Sequence, residues 1–389
     1  MSDWQEVVLA DIAFVNPSER LGKGDIAKKI SMEALQPFSK KPSFYVLDEY
    51  NGGMKFRNGD TVVARITPCL ENGKTAYIDL LEDDEIGFGS TEYIVLREKP
   101  KVSDKHFLYY FAVSPIFRDV AILSMTGSSG RQRVETDVVK RHLFQLPALA
   151  EQKAIAKLLS GLDDKIDLLH RQNKILEAIA ETLFRQWFIE EAQEDWEEKS
   201  LLDLIELVGG GTPKTSTPEY WDGDIPWLSG GDIATNHKGF VSASDKTITK
   251  AGVTNSSAKL LPRFATVISA RGTVGKYCLL ANKMAFSQSN YGILPRIKNC
   301  YFFTYLLINY VVDELHAAAY GSVFDTITTS TFREAKFAVA PLSKILEFEE
   351  FVACYFYKKL GNQTQIQTLK KLRDTLLPKL MSGEVRVAY

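Results

Sequence analysis

The chain repeats itself. Trp4-Gln-Glu-Val-Val-Leu-Ala-Asp11 returns as Trp196-Glu-Glu-Lys-Ser-Leu-Leu-Asp203. Val62-Val-Ala-Arg65 is echoed by Ile268-Ser-Ala-Arg271, and each is followed by a Gly-Lys pair, Gly73-Lys74 and Gly275-Lys276. Gly127-Ser128 answers Gly321-Ser322, Pro147 answers Pro341, and Leu176–Phe184 lines up with Leu369–Leu377. Leaving aside the Arg/Gly-Lys pair, these matches lie 192 to 194 residues apart. One period sustained along a whole chain is the mark of duplication, so the fold must be two copies of one unit.

Composition fits that reading. A length of 389 residues suits two to three domains, and 45% hydrophobic with 25% charged residues is globular rather than disordered or collagen-like. The most apolar stretch, Tyr301–Val312, is interrupted by Thr304 and Asn309 and is too short to span a bilayer. The start, MSDWQEVVLAD, has no basic and apolar leader, which places the chain in the cytoplasm. Cys69, Cys278, Cys300 and Cys354 form no CxxC pair, so a disulfide framework or zinc site is not expected. A net charge of −2 argues against unspecific coating of nucleic acid but leaves room for a local basic groove.

Within each half a mixed segment precedes a helix, giving an α+β fold with four parts: residues 1–147, 148–195, 196–340 and 341–389. Short β-branched runs such as Gly59–Arg65 and Glu92–Leu96 read as strands beside a helix near His106–Val120. Ala150–Glu190 and Leu342–Leu377 carry no proline and one glycine each, and Pro378 with Gly383 marks the end of the second. Ile155, Leu159, Leu162, Ile166, Leu169, Asn173, Leu176, Ala180, Leu183 and Trp187 follow alternating steps of four and three, a coiled-coil seam. Phe348, Val352, Tyr355, Lys359, Asn362, Ile366, Leu369, Arg373 and Leu376 make a less regular one. Residues 148–195 hold 6 basic and 10 acidic side chains, residues 341–389 hold 8 and 5, so opposite charge favours pairing the two helices. Antiparallel pairing with level ends puts Ile155 near Leu380 and Asn173 opposite Asn362, where two amides would fix the register; the competing reading leaves either amide facing solvent or a partner.

No catalytic machinery is visible. Pro68 and Ala270 stand where a P-loop needs its first glycine, the five histidines lack metal spacing, and GxSxG and HExxH are absent. The Glu-x-Lys tripeptides at Glu151, Glu197 and Glu334 have no Pro-Asp partner upstream, and no Asn/Asp-Pro-Pro-aromatic tetrapeptide of an amine methyltransferase occurs. What remains is binding and scaffolding.

The motifs do resemble a family. Gly210-Gly211-Thr212-Pro213 through Trp221 to Asp224-Ile225-Pro226-Trp227 is similar to the opening of a target-recognition domain in specificity subunits of type I restriction–modification enzymes. Asp60–Lys74 followed by Gly87-Phe-Gly-Ser-Thr-Glu92 resembles another form of that domain, and Leu183–Phe188 and Leu376–Glu384 resemble the ends of the family's two helices. The first domain has Asn16-Pro17-Ser18 in place of the GGTP opening, so the two domains should read different sequences. The resemblance implies a non-catalytic chain with no cofactor of its own. It would bind double-stranded DNA at a bipartite, asymmetric site and dock two adenine methyltransferase subunits. Those partners would bring S-adenosylmethionine; restriction subunits would add ATP- and magnesium-dependent cleavage in phage defence. A free-standing, repressor-like DNA-binding protein is the alternative.

The side chains that suit DNA are polar or basic and sit in loops. Arg65 and Arg271, with Thr67 and Thr273 beside them, end strand-like runs where a guanidinium can fork onto guanine or phosphate; a structural ion pair is the competing reading. Lys74 and Lys276 follow glycines, where backbone can approach phosphate. Ser128, Ser129, Arg131, Gln132 and Arg133 form a small-residue loop with the types that read guanine and adenine edges; its counterpart, Gly321–Thr326, has no basic residue. Thr212, Lys214 and Ser216 offer hydroxyls and a charge to phosphate, whereas Tyr220, Trp221 and Trp227 read as packing residues. The first helix, about 60 Å long at 1.5 Å per residue, would act as a ruler between the readers. One turn inserted past Leu183, to spare the seam, would then lengthen the spacer of the DNA site by about one to two base pairs.

Overall fold

A computed structural model describes residues 4–320 and 326–388 and divides the chain into two compact units. Met1–Leu168 with Ile366–Tyr389 forms the first, and Leu169–Gln365 the second.

In the first unit a four-stranded antiparallel sheet runs in the order Ala13–Val15, Tyr93–Glu98, Thr61–Ala64, Thr75–Tyr77. A second sheet orders Val46–Glu49, Ile26–Ile30, Gly87–Gly89 and Lys55–Phe56. Every residue of Thr61–Ala64 is buried. Both faces of this central strand are covered, which is why it reads as a continuous β-branched run rather than an alternating one. Val62 and Val95 pack towards the second sheet, while Val63, Ile94 and Leu96 pack on the helix Lys105–Val113. Asp104 caps that helix, its Oδ1 accepting from His106 N and Phe107 N at 3.0 Å each.

The second unit repeats the frame. Its five-stranded sheet orders Ile205–Gly209, Asn290–Pro295, Thr266–Ser269, Tyr277–Leu280 and Phe240–Val241. A smaller sheet holds Lys246–Ile248, Trp221–Leu228 and Ala285–Phe286. Each unit also closes with an antiparallel ribbon, Gln5–Val8 on Leu143–Leu146 and Glu197–Ser200 on Lys336–Val339. Strand register fixes the equivalences between copies. Thr61 pairs with Leu96 and Tyr77 as Thr266 pairs with Ile293 and Leu279. Lys74 and Lys276 are therefore equivalent, because Ala64 N donates to Lys74 O as Ser269 N donates to Lys276 O. The arginines are not. Arg65 corresponds to Ala270, and Arg271 lies one residue further on, in the turn.

The two long helices run Leu149–Arg185, prolonged by a π turn over Gln186–Glu190, and Leu342–Ser382. Each unit contains a stretch of both, and the contacts there are acid–base. In the first unit Asp163 Oδ1 accepts from Arg373 Nη1 at 2.7 Å, and Asp163 Oδ2 accepts from the Tyr110 hydroxyl at 2.6 Å. Arg373 also donates to Phe38 O at 3.3 Å. Nearer the helix start, Glu151 is buried and accepts from Trp4 Nε1 at 3.0 Å and Arg386 Nη2 at 2.7 Å. The second unit builds the same clamp with other letters. Glu177 pairs with Lys359 and accepts from the Tyr305 hydroxyl at 2.7 Å, and Lys359 donates to Lys238 O at 2.6 Å. One turn away Asn362 Nδ2 donates to Asn173 Oδ1 at 2.9 Å.

Two sequence expectations are corrected here. Pro378 does not end the second helix, which runs through it to Ser382. Burial of Leu380 and Met381 in the first unit's core offsets the lost backbone bond, and Gly383, at φ +77°, makes the stop. The stretch past Leu183 is no free connector either. Phe184 and Phe188 sit in the second unit's core among Phe303, Phe337 and Phe348, so a turn inserted there would displace them.

Breaking the first clamp should be costly. Asp163→Ala leaves Arg373 buried beside an exposed Asp374 as its remaining carboxylate and strips Tyr110 of its acceptor. A loss of about 3–5 kcal/mol is expected in denaturant unfolding, and the paired change Asp163→Leu with Arg373→Met should recover most of it.

Candidate nucleic-acid interface

The first unit gathers several of the polar side chains picked from sequence onto one edge. Beyond the buried strand Thr61–Ala64 the chain continues outward, and Val134 N donates to Arg65 O at 2.9 Å. Thr67 N donates to Gln132 O at 3.0 Å, and Gln132 N donates back to Thr67 Oγ1 at 3.0 Å. Met125–Thr126 pairs with Arg133–Val134 as a hairpin whose tip is Gly127–Gln132. Gly127 and Gly130 have φ of +124° and +76°, where a side chain would be strained. Arg65, Thr67, Gln132 and Arg133 are thus neighbours although 65 residues separate Thr67 from Gln132.

Charge decides which of them is available. Arg133 is held by Glu92, with Nε donating to Oε1 at 2.9 Å and Nη2 to Oε1 at 2.7 Å. Those bonds, with a lesser pull from Arg65, keep the Glu92 carboxyl below its ordinary range. Arg65 donates Nη2 to Val134 O at 3.3 Å, and its Nε is buried without a protein partner. Arg133 is therefore held in an ion pair, a reading the sequence offered for Arg65 and Arg271 instead, and Glu92 is the neighbour that sequence reasoning passed over. Arg131, Ser128 and Ser129 are exposed at the tip, and the Arg131 guanidinium has no partner among the described residues. Lys74 is spent internally, donating to Met32 O at 2.9 Å.

The second unit distributes its cations differently. Arg271 and Lys276 are exposed on the turn between Thr266–Ser269 and Tyr277–Leu280, and Thr273 pins that turn by donating to Gly230 O at 3.2 Å. Lys276 is close enough to help burial push the His237 imidazole down. In the Gly210-Gly211 loop a Cβ on Gly210 would lie 2.1 Å from Ser287 O, and one on Gly211 2.2 Å from the Ser257 carbonyl carbon. Only glycines allow that approach, and they let Gly211 O accept from Trp227 Nε1 at 2.9 Å. Trp221 meets Trp227 edge-on at 5.3 Å, so both tryptophans pack the domain. Thr212 is hydrogen-bonded to Gln288, whereas Lys214 and Ser216 are exposed. The loop Gly321–Thr326 lies, apart from Thr326, outside the described residues.

Among the described residues no group of His, Cys, Asp and Glu is arranged to hold a metal ion, and no helix is long and apolar enough to cross a membrane. Two copies of one mixed domain are each joined to stretches of two long helices and present polar loops at equivalent ends of their central strands. The profile of the type I restriction modification DNA specificity domain matches residues 1–178 and again 193–375, so the chain belongs to that family. It is 22% identical to the type I restriction enzyme HindI specificity subunit of Haemophilus influenzae, over 99% of this chain and 100% of that one. It is 27% identical to the MjaIX specificity subunit of Methanocaldococcus jannaschii, over 72% and 69%. The S subunit structure from M. genitalium superposes with a TM-score of 0.61 at 17% identity, covering 97% of this chain and 96% of that one, a likeness of fold.

The Glu92–Arg133 pair gives a pH prediction. Its contribution is present above the ordinary carboxylate range and is lost as pH falls through the depressed value. Hydrogen exchange at Val134 and Gln132 should therefore accelerate in acid relative to the intrinsic rate, and Glu92→Gln should remove that pH dependence.

Proposed function

We propose that this chain is the DNA-recognition subunit of a type I restriction–modification complex. Residues 1–147 and 196–340 each read one half of an interrupted, asymmetric duplex site, and the helical stretches 148–195 and 341–389 dock two adenine methyltransferase subunits, through which restriction subunits join. S-adenosylmethionine, ATP and magnesium would belong to those partners. The observation that carries this reading is one strand frame, used twice, bearing chemically different loops. The first copy offers Arg131, Gln132, Ser128 and Ser129, with Arg65, Thr67 and Arg133 behind them; the second offers Arg271, Thr273, Lys276, Thr212, Lys214 and Ser216. Two different loops on equivalent supports read two different half-sites. Lys74 is the weakest member of the set, since its ammonium already has an acceptor.

Exchange of residues 1–147 for another member's first domain should change one half of the methylated sequence and leave the other, read by methylome sequencing of cells carrying the whole system. A change in both halves, or methylation that persists without this chain, would refute the reading. On a duplex bearing the site so identified, Arg131→Ala should weaken binding by about 1–3 kcal/mol and relax one position in the first half-site. A uniform loss on all sequences with a shallower salt dependence would make Arg131 a phosphate contact instead.

A further inference from the structure

The first unit contains a polar cavity of about 320 Å³ away from the reading edge, between the loop at Lys40-Lys41, the strand end at Tyr77, the start of the helix Lys105–Val113 and the first long helix. Lys40 is the unusual group there. It is only 7% exposed, and its Nζ donates to Ser160 Oγ at 2.9 Å. The rings of Tyr77 and Tyr110 lie 5.8 and 5.7 Å from the ammonium. No carboxylate of the described residues lies within ion-pair distance of it, so a buried cation is left with a hydroxyl and two ring faces. Buried ammonium groups ordinarily have a counter-ion, and burial, helped by the Lys41 charge, pulls Lys40 below its usual range against the more distant aspartates.

The rest of the lining says what that counter-ion is. Lys153 and Lys157 are exposed on the face of the helix that carries Ser160, one and two turns before it, so they stand at the mouth. Four lysines, Lys40, Lys41, Lys153 and Lys157, face three aspartates, Asp79, Asp104 and Asp164, with Asp79 paired to Lys41 at 2.8 Å. The surplus is positive. His106 also lines the cavity, and its Nδ1 is buried without a protein partner. Ammonium and hydroxyl donors around a cavity several water molecules wide match a tetrahedral anion with several acceptor oxygens.

We propose that this cavity binds a phosphate group, with Lys40 Nζ as the inner donor and Lys153 and Lys157 at its mouth. The bound anion would tie the Lys40 loop, whose Phe38 O already accepts from Arg373, to the first long helix. The phosphate comes from solution, as inorganic phosphate or a monoester, or from the backbone of bound DNA.

The test uses the full chain, inorganic phosphate as probe, and sodium chloride at matched ionic strength as control. Phosphate should raise the melting temperature saturably and shift the His106 ring signals in NMR, assigned with His106→Gln. Lys40→Met should weaken that binding at least ten-fold, and Lys153→Ala with Lys157→Ala several-fold. Because those two lysines are exposed, their variant keeps the test open where Lys40→Met fails to fold. Duplex DNA that displaces phosphate from the His106 signals assigns the site to a backbone phosphodiester, and independent binding assigns it to free phosphate. A response no larger than that of chloride overturns the proposal, and so does an affinity unchanged in the Lys153/Lys157 variant.

Discussion

Everything in this chain that is repeated depends on one interaction that is not symmetric. The first long helix supplies the carboxylates, buried Glu151 and Asp163 and part-buried Glu177, and their cations, Arg386, Arg373 and Lys359, come from the second helix or the residues just after it. Each central carboxylate also accepts from the tyrosine of the helix packed beneath its own sheet, Tyr110 or Tyr305. Arg373 and Lys359 each donate in addition to a loop carbonyl, Phe38 O and Lys238 O respectively. One contact therefore joins both long helices, the domain helix and a loop. Buried pairs of this kind contribute little net stability but are expensive to leave half-made, so they fix alignment more than they add strength.

The polar loops hang from strands that owe nothing to them. Thr61–Ala64 and Thr266–Ser269 are buried along their whole length by residues on both faces. Past the end of each strand the chain is free to differ, and it does. The first unit continues into an edge shared with the hairpin at Met125–Val134, whereas the second turns back sharply through Arg271–Lys276. The frame fixes where polar groups emerge, and local loop chemistry fixes what they present.

The duplication, the mixed domains and the two helices are legible because hydrophobic periodicity and repeated letters both survive in the sequence. The facing amides Asn173 and Asn362 can be paired from the seam, since a polar residue at a core position is conspicuous. Arg65 and Arg271 look equivalent because Val-Ala-Arg and Ser-Ala-Arg match by letter, but hydrogen-bond register shifts them by one residue, and letters carry no register. Glu92 escapes notice because its partner Arg133 is 41 residues away and no local pattern joins them. Lys74 looks available because it follows a glycine in a loop; its acceptor, Met32 O, belongs to a segment with no motif. Pro378 misleads because local rules count the lost backbone bond and not the burial of Leu380 and Met381 beyond it.

The lopsided placement of charge has a consequence for how such a chain comes off the ribosome. In the alignment of the two halves Arg373 corresponds to Ala180, and the same offset sets Lys359 against Ile166 and Asp163 against Phe356. Two copies of the first half, meeting before the second has been made, would thus set Asp163 and Glu177 opposite alanine and isoleucine. An unpaired buried carboxylate costs several kcal/mol, which penalises the like-with-like dimer that duplication otherwise invites. By parting its acids from its bases, the chain makes its two halves complements of each other rather than interchangeable copies.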